Sequence, residues 1–233
     1  MRRTWSPLRV ATAVTLAAWA GVFWFLLLSG RTTLYLSSRT GWVVPMGAVI
    51  LSLCALARLA TARTGHREVL TRSRAVSLGI VVLPAVLVLS LPPASLGSYA
   101  ASRRSAVSAG VVPSESVASG EITMVDVAAA KWSKDTLGQL VRRAGAQVSF
   151  VGFVTEDPGA PADEFVLTRF IVSCCVADAL SVQVRVVGAP PGEFRQDQWV
   201  RVTGALYPLG PEMIVDASSV EAVPRPERPY LNI

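Results

Sequence analysis

The sequence predicts an α + β membrane protein, with a three-helix transmembrane region followed by a small five-stranded, all-β barrel of OB-like type that a short helix precedes. The first observation is composition: 52% of the residues are apolar and the mean hydropathy is +0.47. These values are too high for one soluble domain and indicate a membrane part joined to a soluble part.

The second observation is an uneven distribution of charge. Residues 1–110 contain twelve arginines and one acid, Glu68, for a net charge of +11. Residues 111–233 contain ten basic and fifteen acidic side chains, for a net charge of −5. The positive charge flanks apolar segments and the polar half is acidic, so nucleic acid is not expected as a partner.

The transmembrane region is assigned to residues 1–91, with spans at about 10–28, 41–57 and 75–91. Each run is long enough to cross the hydrocarbon core of a bilayer, about 30 Å thick, as a helix. No Asp, Glu, Lys or Arg lies inside a span. The chain alone therefore offers no ion path, and it is not expected to be the transporter itself.

The arginines predict the orientation in the cell membrane, because cytoplasmic loops carry the excess of positive charge. Eight basic residues lie in the N-terminus and second loop, against four in the first loop and after the third span. The N-terminus is therefore expected in the cytoplasm and everything after residue 92 outside it.

A flexible linker is predicted at 92–120, a stretch rich in Pro, Ser, Ala and Gly that cannot bury much apolar surface. The extracytoplasmic β domain is assigned to 121–233. It is expected to begin with a helix over Asp135–Ala144, capped by Ser133 and stopped by Gly145.

Five strand-like runs separated by Pro- and Gly-containing turns follow the helix. They are Val148–Thr155, Phe165–Cys174, Leu180–Val187, Trp199–Tyr207 and Met213–Ala217. Five short strands in about 110 residues are typical of a small OB-like barrel. The connection after the third strand is too short and Pro-rich for the helix often found there.

Cys174 and Cys175 are adjacent in a chain with three cysteines. On a straight strand their side chains would point to opposite faces, whereas a turn near Asp178 would let both thiols face one ion. Cys174, Cys175 and Asp178 are therefore candidate ligands for a soft metal such as zinc or copper(I), with further ligands supplied by a partner. A strained, redox-active disulfide and two buried structural thiols remain open alternatives.

Arg169 is a candidate binding residue for an anionic ligand, although pairing with Asp178 or Glu164 is the simpler interpretation. His66 is the one histidine of the chain, and residues 111–233 contain none. Ser-His-Asp and Cys-His catalysis are thereby excluded from the β domain, and the protein is not expected to be an enzyme.

Three stretches resemble one known family: FVLTRFIVSCCVADALSVQVRV, WVRVTGAL and SGRTTLYLSSR. They are similar to the YcgQ-type permease-subunit family, whose members have three N-terminal spans, a linker and an external domain. The similarity is most specific at Leu167, Arg169, Phe170, Cys174, Cys175, Ala177 and Asp178. The resemblance implies a larger multi-span permease of the YcgR type as partner, and it supplies no substrate.

The functional expectation is a non-catalytic accessory subunit of a membrane permease, whose external β domain captures or gates substrate through the cysteine pair. The alternative is an extracytoplasmic interaction module that binds a peptide, glycan or protein partner, with the cysteines structural.

Overall fold

The computed structural model describes residues 4–64, 68–90, 95–103, 117, 120–157, 159–210 and 212–232. The chain divides into two compact units, Met1–Ala94 and Ser95–Ile233. The second unit thus begins within the stretch that the sequence assigned to the linker, well before residue 121.

Three long helices make up most of the first unit: α1 (Pro7–Leu28), α2 (Val43–Ala60) and α3 (Arg72–Ser90). All three are long and apolar enough to cross a membrane. They overlap the three predicted spans and differ by two or three residues at some ends: α1 and α3 begin three residues earlier, and α2 is shifted from 41–57 to 43–60. Residue 91 of the third predicted span lies outside the described residues. Proline at the first position of α1 costs little, because the first N–H groups of a helix have no partner within it.

A short two-stranded antiparallel ladder joins the residues before α1 to the chain after α2. Strand β1 (Thr4–Trp5) pairs antiparallel with β2 (Arg63–Thr64). Glu68, the one acid among residues 1–110, accepts two hydrogen bonds from the Arg9 guanidinium, at 2.8 and 3.1 Å.

The second unit is a five-stranded closed barrel with helices. Its strands are β3 (Ala146–Thr155), β4 (Phe165–Val172), β5 (Leu180–Val187), β6 (Trp199–Leu209) and β7 (Glu212–Ala222). Around the ring the order is β3, β4, β5, β7, β6 and back to β3. The β5–β7 pair is parallel and the other four are antiparallel. The five predicted strands are thus present, with β3, β6 and β7 longer than expected and β4 ending two residues earlier, at Val172.

Two helices, not one, directly precede the barrel. The predicted helix is α6 (Lys134–Arg142), and the Ser133 hydroxyl accepts the expected capping bond from the Thr136 amide. The additional helix is α5 (Met124–Ala130), whose first turn is capped reciprocally by Thr123 and Asp126. Its apolar side chains join those of α6 and the inward-facing strand residues in one core.

A second cluster covers part of the outer barrel face. Strand positions that alternate with the inner core contribute the largest side chains, and this outer cluster consists of Ala101, Phe153, Phe170, Val172, Ala179, Trp199 and Tyr230. The Phe153 ring lies 5.8 Å from the ring centroids of both Phe170 and Trp199. The outer cluster gives the barrel a buried surface on both sides of its wall.

Two terminal segments of the unit cover the outer cluster. Residues 95–103, predicted as linker, contain α4 (Ser98–Arg103), and the Ser98 amide donates to the Asp197 carboxylate at 2.6 Å. The C-terminal β8 (Leu231–Asn232) pairs parallel with the end of β4. The Tyr230 hydroxyl accepts a 3.0 Å hydrogen bond from the Leu96 amide and so joins the two segments. The flexible-linker prediction is therefore wrong for 95–103, and the rest of it lies mostly outside the described residues.

Candidate thiol site

Cys174 and Cys175 lie in a turn, not on the strand where the sequence placed Cys174. Strand β4 ends at Val172, and the chain bends through residues 173–175 into a single 3-10 turn, Val176–Asp178, before β5. The turn releases the two cysteines from strand alternation, which would have sent their side chains to opposite faces.

Asp178 holds this turn through its carboxylate. Its Oδ1 accepts from the Ser173 amide at 3.1 Å, and its Oδ2 from the Cys174 amide at 2.7 Å and the Cys175 amide at 3.5 Å. A carboxylate that receives several backbone N–H groups fixes the path of the chain. Asp178 therefore positions the cysteines, and its oxygens are already engaged where the sequence suggested a metal ligand.

The two thiols are hydrogen-bonded neighbours and do not form a disulfide. Cys174 Sγ and Cys175 Sγ lie 3.7 Å apart, against about 2.05 Å in a disulfide. Cys174 is exposed and Cys175 is half-buried, and neither is in a disulfide. The exposure of Cys174 does not fit the interpretation in which both thiols are buried structural residues.

Hydrogen bonding keeps Cys174 protonated. The Asp178 carboxylate accepts from the Cys174 thiol and, with the neighbouring Cys175 and burial, raises the pKa of Cys174 to about 11. Burial acts to raise the pKa of Asp178 as well, but its bonds from the Cys174 thiol and the backbone amides outweigh burial and lower it. The resting site thus presents a neutral thiol, and a metal ion must displace a proton to bind.

The site offers two sulfur donors and no complete ligand set. Among the described residues, no three His, Cys, Asp or Glu side chains are grouped so as to hold a metal ion. A closed zinc site usually has four ligands. An ion bound here would keep open positions for a partner or for solvent.

Arg169 makes neither of the acidic pairs expected from the sequence. Its guanidinium donates to three backbone carbonyl oxygens, those of Val151 at 3.1 Å and of Arg228 and Pro229 at 3.2 Å. It also lies 5.8 Å from the Trp199 ring centroid, and burial lowers its pKa. Glu164 instead pairs with Arg185.

Arg169 thus fastens the C-terminal segment next to the cysteine turn. The Arg228 and Pro229 carbonyls lead directly into Tyr230 and β8, and β8 pairs with Ile171 and Val172 just before the turn begins. Sequence reasoning missed this role because these two carbonyls lie about 60 residues away from Arg169 along the chain.

A charged cavity on the barrel was also missed. It is lined mainly by the polar side chains of Lys131, Glu156, Asp157, Gln183, Arg185 and Glu212. The available signal was the alternation of β5, in which Gln183 and Arg185 lie between buried valines. No single motif marks this cavity, because its walls come from five separate segments.

The fold and the turn define a class of protein: a closed five-stranded barrel with a vicinal thiol turn, in a chain that also has three helices capable of crossing a membrane. Residues 102–232 match the model of the DUF1980 C-terminal domain. The chain therefore belongs to the DUF1980 C-terminal domain family. No curated protein matches it.

Proposed function

We propose that this protein is a non-catalytic accessory subunit of a membrane permease, and that its barrel captures a thiophilic metal ion as cargo through Cys174 and Cys175. In this proposal α1, α2 and α3 cross the cell membrane and the barrel lies outside the cytoplasm, an orientation that the arginine distribution supports. The larger multi-span permease is the partner implied by the family resemblance in the sequence.

The finer fold assignment belongs to the same proposal. The ring order β3, β4, β5, β7, β6, with one parallel pair, is the connectivity we assign to an OB-like barrel. OB folds are used for binding far more than for catalysis, and ligands meet their outer strand face and loops. The absence of histidine from residues 111–233 supports a non-catalytic role.

The separation of the two sulfur atoms carries the proposal. Zinc–thiolate bonds of about 2.3 Å in a tetrahedral arrangement separate two sulfur atoms by about 3.8 Å. The observed separation is 3.7 Å. Zinc could thus bind both thiolates with little movement of the chain, whereas a linear copper(I) site would need the sulfur atoms to separate to about 4.5 Å.

The incomplete ligand set suits transfer better than storage. Two thiolates leave two positions of a tetrahedral ion open, and the exposed Cys174 leaves the ion accessible to a second protein. The Asp178 bonds keep the two cysteines in place before the ion arrives, which lowers the entropy cost of capture.

Metal competition on the full chain in detergent tests the capture. The reduced protein is titrated with Zn²⁺, and separately with Cu⁺ under argon, against a chromophoric chelator. We expect one ion per chain, lost in the Cys174→Ser, Cys175→Ser double variant and retained in Cys54→Ser, which removes the third cysteine from α2. Equal binding by all three proteins would contradict the proposal.

Co-expression with a multi-span permease of the YcgR type tests the accessory role. The full chain should co-purify with that permease in a mild detergent and from native membrane discs. Failure to form a complex in both would count against the permease partner while leaving metal capture to be decided by the titration.

The alternative function is an extracytoplasmic interaction module for a peptide, glycan or protein, with the cysteines structural. The charged cavity favours it, since a concave pocket with converging polar side chains is a typical binding feature. The double serine variant separates the two functions: growth under metal stress should change for a capture subunit and stay unchanged for an interaction module.

A further inference from the structure

The charged cavity occupies the outward faces of β4 and β5. Gln183 and Arg185 line it from β5, and Glu156, Glu212 and Lys131 enter from the β3–β4 loop, the start of β7 and the end of α5. Its volume of about 330 Å³ lies at the lower end of the range for small-molecule sites. Such a cavity accommodates a ligand about as large as an amino acid or a dipeptide.

Arg185 and three acidic neighbours form a network of ion pairs along the wall of this cavity, here called the frame. Arg185 Nη2 lies 3.4 Å from an Asp157 oxygen, Nη1 lies 3.3 Å from Glu164, and Nε lies 3.8 Å from Glu212. The two ends of the β3–β4 loop and the start of β7 are thereby tied to β5. The guanidinium is already surrounded by carboxylates, so it contributes rigidity more than a free positive charge.

Two opposite charges in the cavity stand outside this frame. Among the residues that the structure describes, neither the Lys131 side chain nor the Glu156 side chain has a hydrogen-bond or ion-pair partner. Lys131 is half-buried, and burial lowers its pKa even though Glu212 acts in the opposite direction. A partly desolvated ammonium without a hydrogen-bonded partner is costly, and an anionic ligand group would offset that cost.

A second cavity of about 340 Å³ adjoins the same wall. It shares Glu156 and Asp157 with the charged cavity, and its lining combines acidic side chains with the apolar side chains of Phe165, Ala189 and Phe194. A ligand ammonium at Glu156 would therefore have both further carboxylates and apolar side chains beside it.

We propose that this cavity binds a zwitterionic ligand of the amino-acid or short-peptide class, with its carboxylate on Lys131 and its ammonium on Glu156. An apolar side chain next to the ammonium would extend toward Phe165 and Phe194. Polyanions such as nucleic acid are disfavoured, because Glu156, Asp157 and Glu212 outnumber the two cations of the lining.

The inference is independent of the thiol site. Arg185 lies five residues along β5 from Leu180, where the cysteine turn ends, which corresponds to about 17 Å of strand. The Cys174→Ser, Cys175→Ser variant should therefore bind the zwitterion as the unchanged chain does, so failure of either site is seen separately.

Calorimetry of the full chain in detergent with leucylglycine as the probe tests the proposal. We expect saturable binding of leucylglycine and at least tenfold weaker binding of its N-acetyl and its C-terminal amide forms, each of which lacks one charge-assisted contact. Absence of saturable leucylglycine binding below about 10 mM would overturn the proposal. Equal affinity for either blocked form would also overturn it.

Paired variants assign the two charges. Lys131→Met should weaken leucylglycine about tenfold and abolish discrimination against the C-terminal amide, while Glu156→Gln should abolish discrimination against the N-acetyl form. Lys134→Met and Glu193→Gln are matched controls, because both side chains are exposed outside the cavity lining. Variants that leave both discriminations intact would show that the contacts lie elsewhere.

Discussion

The helical unit and the barrel unit differ in how far they bury similar apolar side chains. In α2, Leu53 and Leu56 are 60% and 63% exposed, whereas Leu167 and Leu206 of the barrel are fully buried. The helices complete their backbone hydrogen bonds internally, and the barrel completes its own by closing the ring. The difference shows that the barrel depends on its own packing, whereas the helices leave most of their apolar surface for their surroundings.

The largest effect is expected from the closest approach of two strands. A Cβ atom at Gly204 would overlap the carbonyl oxygen of Asp216, next to an irregularity in the β6–β7 pairing. Gly204→Ala should lower the free energy of unfolding of the barrel by about 3 kcal/mol or more, since a backbone atom cannot move aside cheaply. Hydrogen exchange of the β6 and β7 amides should accelerate accordingly.

The matched substitution in the helical unit is Gly21→Ala. Apart from the neighbouring backbone of α1 itself, no atom of the described residues lies within 4 Å of the position that a Cβ would take at Gly21, so α1 should be unchanged or stabilised by up to about 1 kcal/mol. Unchanged amide exchange in Gly204→Ala would contradict the close approach of β6 and β7 at this position.

Removing a side chain from the outer cluster should have an effect of similar size. Phe153 is 2% exposed and packs on Phe170 and Trp199. Phe153→Ala should cost about 3–5 kcal/mol, measured by pulse proteolysis in urea. Leu87→Ala in α3, where Leu87 is 49% exposed, should cost about 0.5 kcal/mol or less in detergent. Similar costs at the two positions would remove the distinction between the units.

Arg169→Lys tests how the C-terminal segment is held. A lysine ammonium cannot reproduce the planar fork that reaches three carbonyl groups, so about 2 kcal/mol of local stability should be lost. Exchange at Leu231 and Asn232 should accelerate while that of β6 stays the same. Arg201→Lys, on an exposed position of β6, is the control and should leave both unchanged.

The smallest effect concerns thiol reactivity and not stability. Because the pKa of Cys174 is raised to about 11, its alkylation by iodoacetamide should still accelerate as pH rises from 9 toward 10.5. At pH 7.5 it should react about tenfold more slowly than an ordinary thiol, since the loss of thiolate exceeds the gain in nucleophilicity.

Asp178→Asn should remove most of this difference, because the carboxylate is the largest cause of the raised pKa. The measurement uses mass spectrometry of the Cys54→Ser background, in which the two turn cysteines are the remaining thiols. A rate that levels off near pH 8 in the parent protein would show that the carboxylate does not hold the Cys174 proton.

Elements with a local signal could be predicted from the sequence, and elements that depend on distant partners could not. The five strands were found because alternation and turn residues are local. Helix α5 was missed because every residue of Met124–Ala130 except Asp126 is apolar, which leaves no amphipathic pattern, although Thr123 and Asp126 form the spacing of an N-terminal cap. The sequence of α4 and its neighbours carries no such signal, since Leu96 and Ala101 are ordered by Trp199 and Tyr230.

The thiol turn illustrates the same limit at one site. The adjacent cysteines and Asp178 identified the segment, and the need for a turn followed from strand geometry. That the Asp178 carboxylate would face the backbone amides of residues 173–175 depends on where β4 ends, and that end is set by pairing with β5 and β8.

The outer cluster also determines where the chain can be truncated to obtain the barrel as an isolated soluble fragment. A fragment that starts at Glu121 lacks Leu96, Ala100 and Ala101 and would leave Phe153, Phe170 and Trp199 partly uncovered. Such a contiguous aromatic patch favours self-association. A truncation boundary at Ser95 retains the cover, so the choice of the first residue should decide whether the isolated barrel is monomeric.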